Sequence, residues 1–320
     1  MTVKSIRYYY NKLAPSQKKI YEQMFQGLNN RKADIKVSSR FGNDDLCAIY
    51  EYVLLDNPQL FFVSDKIRIT HHKPSIYKNI CVSYLYSQLT ANNMQTQIDR
   101  IACMLLSTVN YLNTGIDKLR SVYTFLAKNT TYNHNATAEK SADHNMVGPL
   151  LNCTAVCDGY ARALKFLCDA IKIPCVVVSG AALSPHGGYE LHAWNIVKVK
   201  GICYHLDVTW DSILEDMDHL DYFNLTDDEM AKDHKWKPQI MPRCDTAYSC
   251  VICVSSKREF ERIFMERMSQ GISSFQVRFS KRFENEREII DMIRTFDLKT
   301  LCNVRVRYNI TQNKAVIYLQ

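Results

Sequence analysis

Lys200-Gly201 stands between two runs rich in Val, Ile, Tyr and Trp, YELHAWNIVKV and ICYHLDVTWD, and it restricts the fold more tightly than any other feature. Two β-forming runs joined by a short glycine-containing link read as a hairpin. Side chains alternate along a strand, so His192, Trp194 and Ile196 share one face of the first run. His205, Asp207 and Thr209 share one face of the second. With a two-residue loop, Val199 pairs with Ile202, Trp194 falls opposite Asp207, and His192 is a diagonal neighbour of Asp207. A four-residue loop places His192 directly opposite Asp207. Either register brings the imidazole to the carboxylate, whereas a slip of one residue sends them to opposite faces. A carboxylate at that distance fixes the imidazole tautomer and stabilises the imidazolium.

Upstream lies CTAVCDGYARALKFLCDAI, residues 153 to 171. Tyr160, Ala163, Leu164, Leu167 and Ile171 recur at the spacing of one helix face, so an amphipathic helix follows Cys157 and holds that residue in its first turn. A thiol there meets the positive end of the helix dipole and its free N–H groups, which favours the thiolate and leaves donors for a developing oxyanion. Gly159 lets another backbone or a substrate pass close. By itself Cys157 is more readily read as a small buried hydrophobe. A helix-start Cys with a His and an Asp on adjoining strands is, by contrast, the nucleophile, base and orienter logic of covalent acyl transfer.

VCDGYARALKFL, HAWNIVKV and YHLDVTWD resemble, in order and spacing, the three motif blocks of the transglutaminase-like superfamily, which has a papain-like fold and a Cys-His-Asp triad. LLDNPQLFFV (54 to 63) and YFNLTDDEMAKDHKW (222 to 236) resemble segments that accompany this domain in bacterial members. The resemblance implies an α+β core in which the nucleophile helix packs on an antiparallel sheet. It also implies Cys157 as nucleophile, His192 as general base and then acid, and Asp207 as orienter. One departure is Thr154-Ala155, where the family usually has a Gly, which stiffens the approach to the nucleophile.

The rest of the chain divides into a mainly helical N-terminal accessory region (1–95), the catalytic core (96–245) and a small α/β C-terminal module (246–320). In the first, Ser16 is a plausible N-cap for a helix carrying Ile20, Met24 and Leu28, a second helix covers Asn43 to Leu55, and Phe61 to Thr70 is a strand. Arg40, Asp65 and His71-His72 read as solvated loop residues, because no third ligand stands at metal spacing. The core opens with helices over 98–112 and 116–128. Tyr132 then either lines the oxyanion site or packs as an aromatic with its hydroxyl in water. Residues 133 to 147 read as a surface loop over the cleft, 173 to 179 as a buried strand, and 180 to 188 as a loop at the rim. Gly159, Tyr160, Trp194 and Asn195 are further candidates to line the substrate; core packing is at least as good an account of Trp194. Trp210 and Asp211 serve to position Asp207.

In the C-terminal module the pattern gives strands at 248–254, 274–279, 303–308 and 314–319 and helices over 257–270 and 286–296. Cys244, Cys250 and Cys253 with His234 invite a zinc reading. A strand puts Cys250 and Cys253 on opposite faces and no second Cys-x-x-Cys pair exists, so neither metal nor cofactor is expected.

Composition excludes several function classes. A net charge of +7 without a concentrated Lys/Arg run gives no footprint for nucleic acid. The first residues carry no apolar signal-peptide core and no apolar run is long enough to span a bilayer, so a cytoplasmic protein with no membrane partner is expected. Twelve cysteines in 320 residues are expected as thiols, since a chain this long does not need disulfide staples. The expected chemistry is attack of Cys157 on a peptide or amide carbonyl of a protein or peptide substrate. Hydrolysis makes the chain a cysteine peptidase or amidase, an amine acceptor makes it a transglutaminase, and a non-catalytic interaction module is the alternative of another class.

Overall fold

Lys200 and Gly201 both take positive φ (50° and 87°), the backbone twist that a two-residue hairpin loop demands. In the computed structural model, which describes residues 5–136, 142–184, 187–214, 216–248, 251–296 and 303–319, this turn joins strands Tyr189–Val199 and Ile202–Leu206. Val199 faces Ile202 and Asn195 faces Leu206, the register of the two-residue loop. The hairpin lies inside a five-stranded antiparallel sheet. Cys175–Leu183 and then His234–Lys235 extend it on one side, and Phe223–Leu225 closes the other.

The strand Cys175–Leu183 runs four residues beyond the expected Ser179 and absorbs the first four of the nine residues read as a rim loop; Pro185 and His186 of that segment lie outside the described residues. Residues 208–211 turn into a short helix capped by Asp207, so Thr209 leaves the strand face assigned to it. Asp207 stops the strand because its carboxylate accepts the N–H groups of Thr209 and Trp210, an N-cap contact that strand pairing cannot offer.

The helix Cys157–Ala170 packs against this sheet with Ala163, Leu164, Phe166 and Leu167 buried, and Val156 precedes it in extended backbone. Leu119, Val122, Tyr123 and Leu126 of the neighbouring helix Gly115–Asn129 fill the same core. Removing one such side chain, as in Leu164→Ala, costs about 2–5 kcal/mol in a close-packed interior.

The N-terminal region is less helical than its sequence suggests. Beside the helices Pro15–Asn29 and Asn43–Asp56 it carries a three-stranded sheet in which Tyr77–Tyr84 lies between Asp34–Ser38 and Val63–Thr70. Ala14 rather than Ser16 precedes the first of these helices, because Pro15 is suited to the first helical position by its fixed φ and missing N–H. Gln88–Val109 is one continuous helix, so the division drawn at residue 95 falls inside it. Tyr9 and Leu55 join the core on the sheet, and the Tyr9 hydroxyl donates to the Val177 carbonyl at 2.6 Å.

In the C-terminal module, Ile252–Val254 runs parallel to Ser274–Phe279, and Lys314–Leu319 and Val304–Asn309 complete a four-stranded sheet. Phe260, Phe264, Phe275, Val277, Ile289 and Ile317 make a separate apolar core there. The first strand is shorter than the expected 248–254; residues 249 and 250 are outside the described set. Among the described residues no helix is long and apolar enough to cross a membrane.

Candidate active site

Cys157 opens its helix because Val156 is held extended from behind: its N–H donates to the Asp143 carbonyl at 3.1 Å. Thr131–Tyr132 pairs in parallel with Thr154–Ala155 just before the turn, and Cys153 takes a left-handed φ of 58° at the position next to the missing family glycine. Gly159 is where the helix must lack a side chain. A Cβ there would lie 2.0 Å from the Asp143 carbonyl oxygen, so the close neighbour is backbone and not substrate. The segment read as a surface loop over 133–147 is therefore partly interior, with Asp143, Asn145, Met146 and Val147 buried beneath the helix start; residues 137–141 are outside the described set. His144 Nδ1 lies 3.1 Å from the Asp158 carboxylate and is pushed up by that hydrogen bond against the effect of burial.

His192, at the exposed end of its strand, reaches across the hairpin to Asp207, with Nε2 2.7 Å from Oδ2. That contact occupies Nε2 and leaves Nδ1 for the thiol of Cys157, which acts as a side-chain hydrogen-bond partner of the ring. Burial disfavours a charged His192, but the charge and hydrogen bond of Asp207, with Cys157 alongside, push it up to about 10. Asp207 is fully buried, yet it is held well below the usual carboxylate range. Burial opposes this and is outweighed by the charge and hydrogen bond of His192 and by those of His234. Its Oδ1 accepts from Thr209 and Trp210, and its Oδ2 from His192 and, at 3.1 Å, from His234 Nε2.

The structure thus brings Cys157, His192 and Asp207 together at the end of the hairpin away from its turn. Tyr132 is close to them: it is half-buried, its ring packs on His134 at 4.9 Å, and its hydroxyl is pushed up by burial and then by the charge of Cys157. Other expected lining residues turn inward. Tyr160 is buried and donates to the Thr130 carbonyl at 2.7 Å, and Asn195 Nδ2 donates to the Ala161 carbonyl at 2.9 Å, pinning the helix to the sheet. Trp194 is buried among the rings of His192, His205, His234 and Trp236. Packing consumes their polar atoms, and they present none to a substrate. Trp210 and Asp211 do support Asp207: Asp211 accepts the Tyr123 hydroxyl that also donates to the Asp207 carbonyl, and the Tyr222 and Asp221 N–H groups.

Sequence reasoning missed the place of His234, which it offered as a partner of Cys244. The strand His234–Lys235 pairs with Ala181 and Ala182 and delivers the ring to Asp207 from the far side of the sheet. Gly180 makes this approach possible, since a Cβ there would stand 2.3 Å from the Lys235 carbonyl oxygen and 2.6 Å from the Trp194 ring. Cys244 instead lies with His205 and Asp227, their ligand atoms within 4.8 Å of one another. The Trp194 indole N–H, a donor only, points at His205 Nδ1 at 3.0 Å, so the proton of that ring is on Nε2, 2.9 Å from Asp227 Oδ1. In this arrangement Nε2 offers a proton and no lone pair to a metal. Cys253 is exposed on its strand, and Cys250 is outside the described residues.

A helix-start thiol, an imidazole and a buried carboxylate at one end of a hairpin have the composition of a thiol acyl-transfer centre. Residues 105–208 match the model of the transglutaminase-like superfamily. The kyphoscoliosis peptidase of mouse is 26% identical over 143 residues, covering 41% of this chain and 21% of that protein. The human protein is 27% identical over 140 residues, covering 41% and 20%. The matches thus span about a fifth of the length of these curated relatives. Among solved structures, a TGase aligns at 12% identity and a TM-score of 0.33, covering 60% of this chain and 52% of that one. The periplasmic domain of TgpA from Pseudomonas aeruginosa aligns at 19% identity and a TM-score of 0.28, covering 42% and 55%. The likeness to the superfamily lies in the sequence of residues 105–208.

Proposed function

We propose that the chain is a cysteine acyl-transfer enzyme that hydrolyses a peptide or amide bond of a protein or peptide substrate. One observation carries this reading: His192 stands between the Cys157 thiol and a carboxylate that is fully buried yet held by four donors. Nothing in core packing requires a buried acid so satisfied to end on a histidine that meets a helix-start thiol.

In this mechanism Cys157 Sγ attacks the carbonyl carbon while the charged His192 holds the proton at Nδ1. The N–H groups of the first helical turn face the developing oxyanion. His192 gives its proton to the leaving nitrogen as the C–N bond breaks and a thioester forms. Water then adds to the thioester with His192 as base, releasing the acid and restoring the thiol. Asp207 keeps its charge throughout and stabilises the imidazolium. The name of the mouse and human relatives, peptidase, favours water as the acceptor.

The test offers the full chain a panel of peptides and glutamine-containing peptides in isotopically heavy water, with and without a primary amine, and reads products by mass spectrometry. Hydrolysis gives products that carry one heavy oxygen, and Cys157→Ala lowers turnover at least about a thousandfold. Products carrying the amine in place of water would reassign the chain as a transglutaminase. Turnover that survives Cys157→Ala would overturn both.

A further inference from the structure

We propose that His234 is a positioning residue of the candidate triad, clamped between Asp207 and Asp233 so that the carboxylate holding His192 stays ionised although it is buried. The proposal rests on the acyl-transfer reading above, since it concerns the same carboxylate.

The geometry is a chain of alternating groups. His192 Nε2 and His234 Nε2 approach the same oxygen of Asp207, at 2.7 and 3.1 Å. His234 Nδ1 lies 2.6 Å from Asp233 Oδ1, so both nitrogens of this ring face carboxylate oxygens. A neutral imidazole carries one proton and satisfies one such contact; the imidazolium satisfies both. His234, Asp207 and Asp233 are all buried, and a buried carboxylate is tolerated only when charge and donors compensate it. Asp233 is anchored in turn: its Oδ2 accepts the Tyr222 hydroxyl at 2.6 Å and the Gln312 side-chain amide at 3.2 Å. Gln312 follows the strand Val304–Asn309 in the C-terminal module, so that module reaches the site through two aspartates and a histidine.

Other groups face Asp207 from each element packed on it. They are Tyr123 on its carbonyl, Tyr132, Cys157 through His192, and Asp211 through the shared Tyr123 hydroxyl. None of them supplies a cation, which leaves the two histidines. Burial disfavours a charged His234, and its hydrogen bonds to Asp207 and Asp233 raise it nonetheless; both its charge and its hydrogen bond lower Asp207.

The consequence is an acid limb. Once Asp207 takes a proton, His192 loses its counter-charge and no longer serves Cys157 as a charged partner. The wild-type chain, His192→Ala and His234→Gln are therefore reacted with dipyridyl disulfide between pH 1 and 8, with mass spectrometry reading modification of Cys157 against the exposed Cys47 and Cys103. Gln keeps a donor for Asp207 and removes the cation. We expect the acid limb of Cys157 labelling to rise by about one pH unit in His234→Gln, with the rate above the limb within about threefold of wild type. A variant that melts lower but keeps the wild-type limb overturns the proposal, because a merely structural ring predicts that result. Wild-type Cys157 that reacts no faster than Cys47, and ignores His192→Ala, overturns the triad itself and the present proposal with it. If His234→Gln does not fold, Asp233→Asn leaves both rings in place and moves the same limb in the same direction by a smaller amount; an unmoved limb there also refutes the role.

Discussion

His192 and His205 stand on adjoining strands of one hairpin, each within 3 Å of an aspartate oxygen, at 2.7 and 2.9 Å, yet their acid–base behaviour is opposite. His192 is pushed up to about 10 by Asp207 and Cys157 against the effect of burial, whereas burial, with the charge of His234, lowers His205 against the pull of Asp227. Both are buried, so burial alone does not separate them. The aspartates differ: Asp207 is fully buried and its field is unscreened, while the Asp227 side chain is 29% exposed. The second nitrogen differs more. In His192 it meets the Cys157 thiol, which welcomes a proton beside it, and in His205 it accepts the Trp194 indole N–H, which a proton would displace. A histidine–aspartate pair is thus a charged switch or a neutral strut according to what the far nitrogen touches.

The largest effect should come from breaking the first pair. Asp207→Asn leaves the hydrogen-bonding shape but removes the charge, and turnover should fall by about 10³–10⁴. His192, with its raised value in the folded state, contributes stability that is complete below its unfolded value near 6.5 and fades as pH climbs toward 10. In Asp207→Asn that stabilisation should vanish, so melting temperature between pH 7 and 9 becomes flatter. Turnover within tenfold of wild type would mean that Asp207 is no orienter.

Trp194→Phe attacks the second pair by freeing His205 Nδ1. The cavity and lost hydrogen bond should cost about 1–3 kcal/mol in urea unfolding. The His205 ring resonance should titrate at higher pH than in wild type. A group lowered in the folded state costs stability as pH falls below its unfolded value, so acid sensitivity between pH 7 and 5 should lessen relative to wild type. An unmoved His205 midpoint would show that burial, and not the indole, holds the ring neutral.

The smallest effect belongs to Asp227→Asn. Its partly exposed carboxylate is lowered chiefly by the His205 hydrogen bond, and solvent screening leaves about 0.5 kcal/mol or less at neutral pH. Turnover should stay within about twofold. A larger loss would place His205 in the chemistry and erase the contrast with His192.

What the amino-acid sequence determined by itself was local. Lys200-Gly201 set the hairpin, and both loop lengths it allows bring His192 to Asp207, because they differ by a register step that keeps the two side chains on one face; the structure selects the two-residue loop. The apolar spacing after Cys157 set the helix and the place of the thiol at its start. Tertiary structure decided what lies beyond a strand or a turn. Gly159 turned out to make room for the Asp143 backbone, Tyr160 and Asn195 to be pins, and 180–183 to be strand. His234 is 27 residues from Asp207 in the chain and reaches it from the opposite edge of the sheet. No periodicity carries such a contact, since it depends on how a two-residue strand docks and on which polar atoms burial leaves to be satisfied.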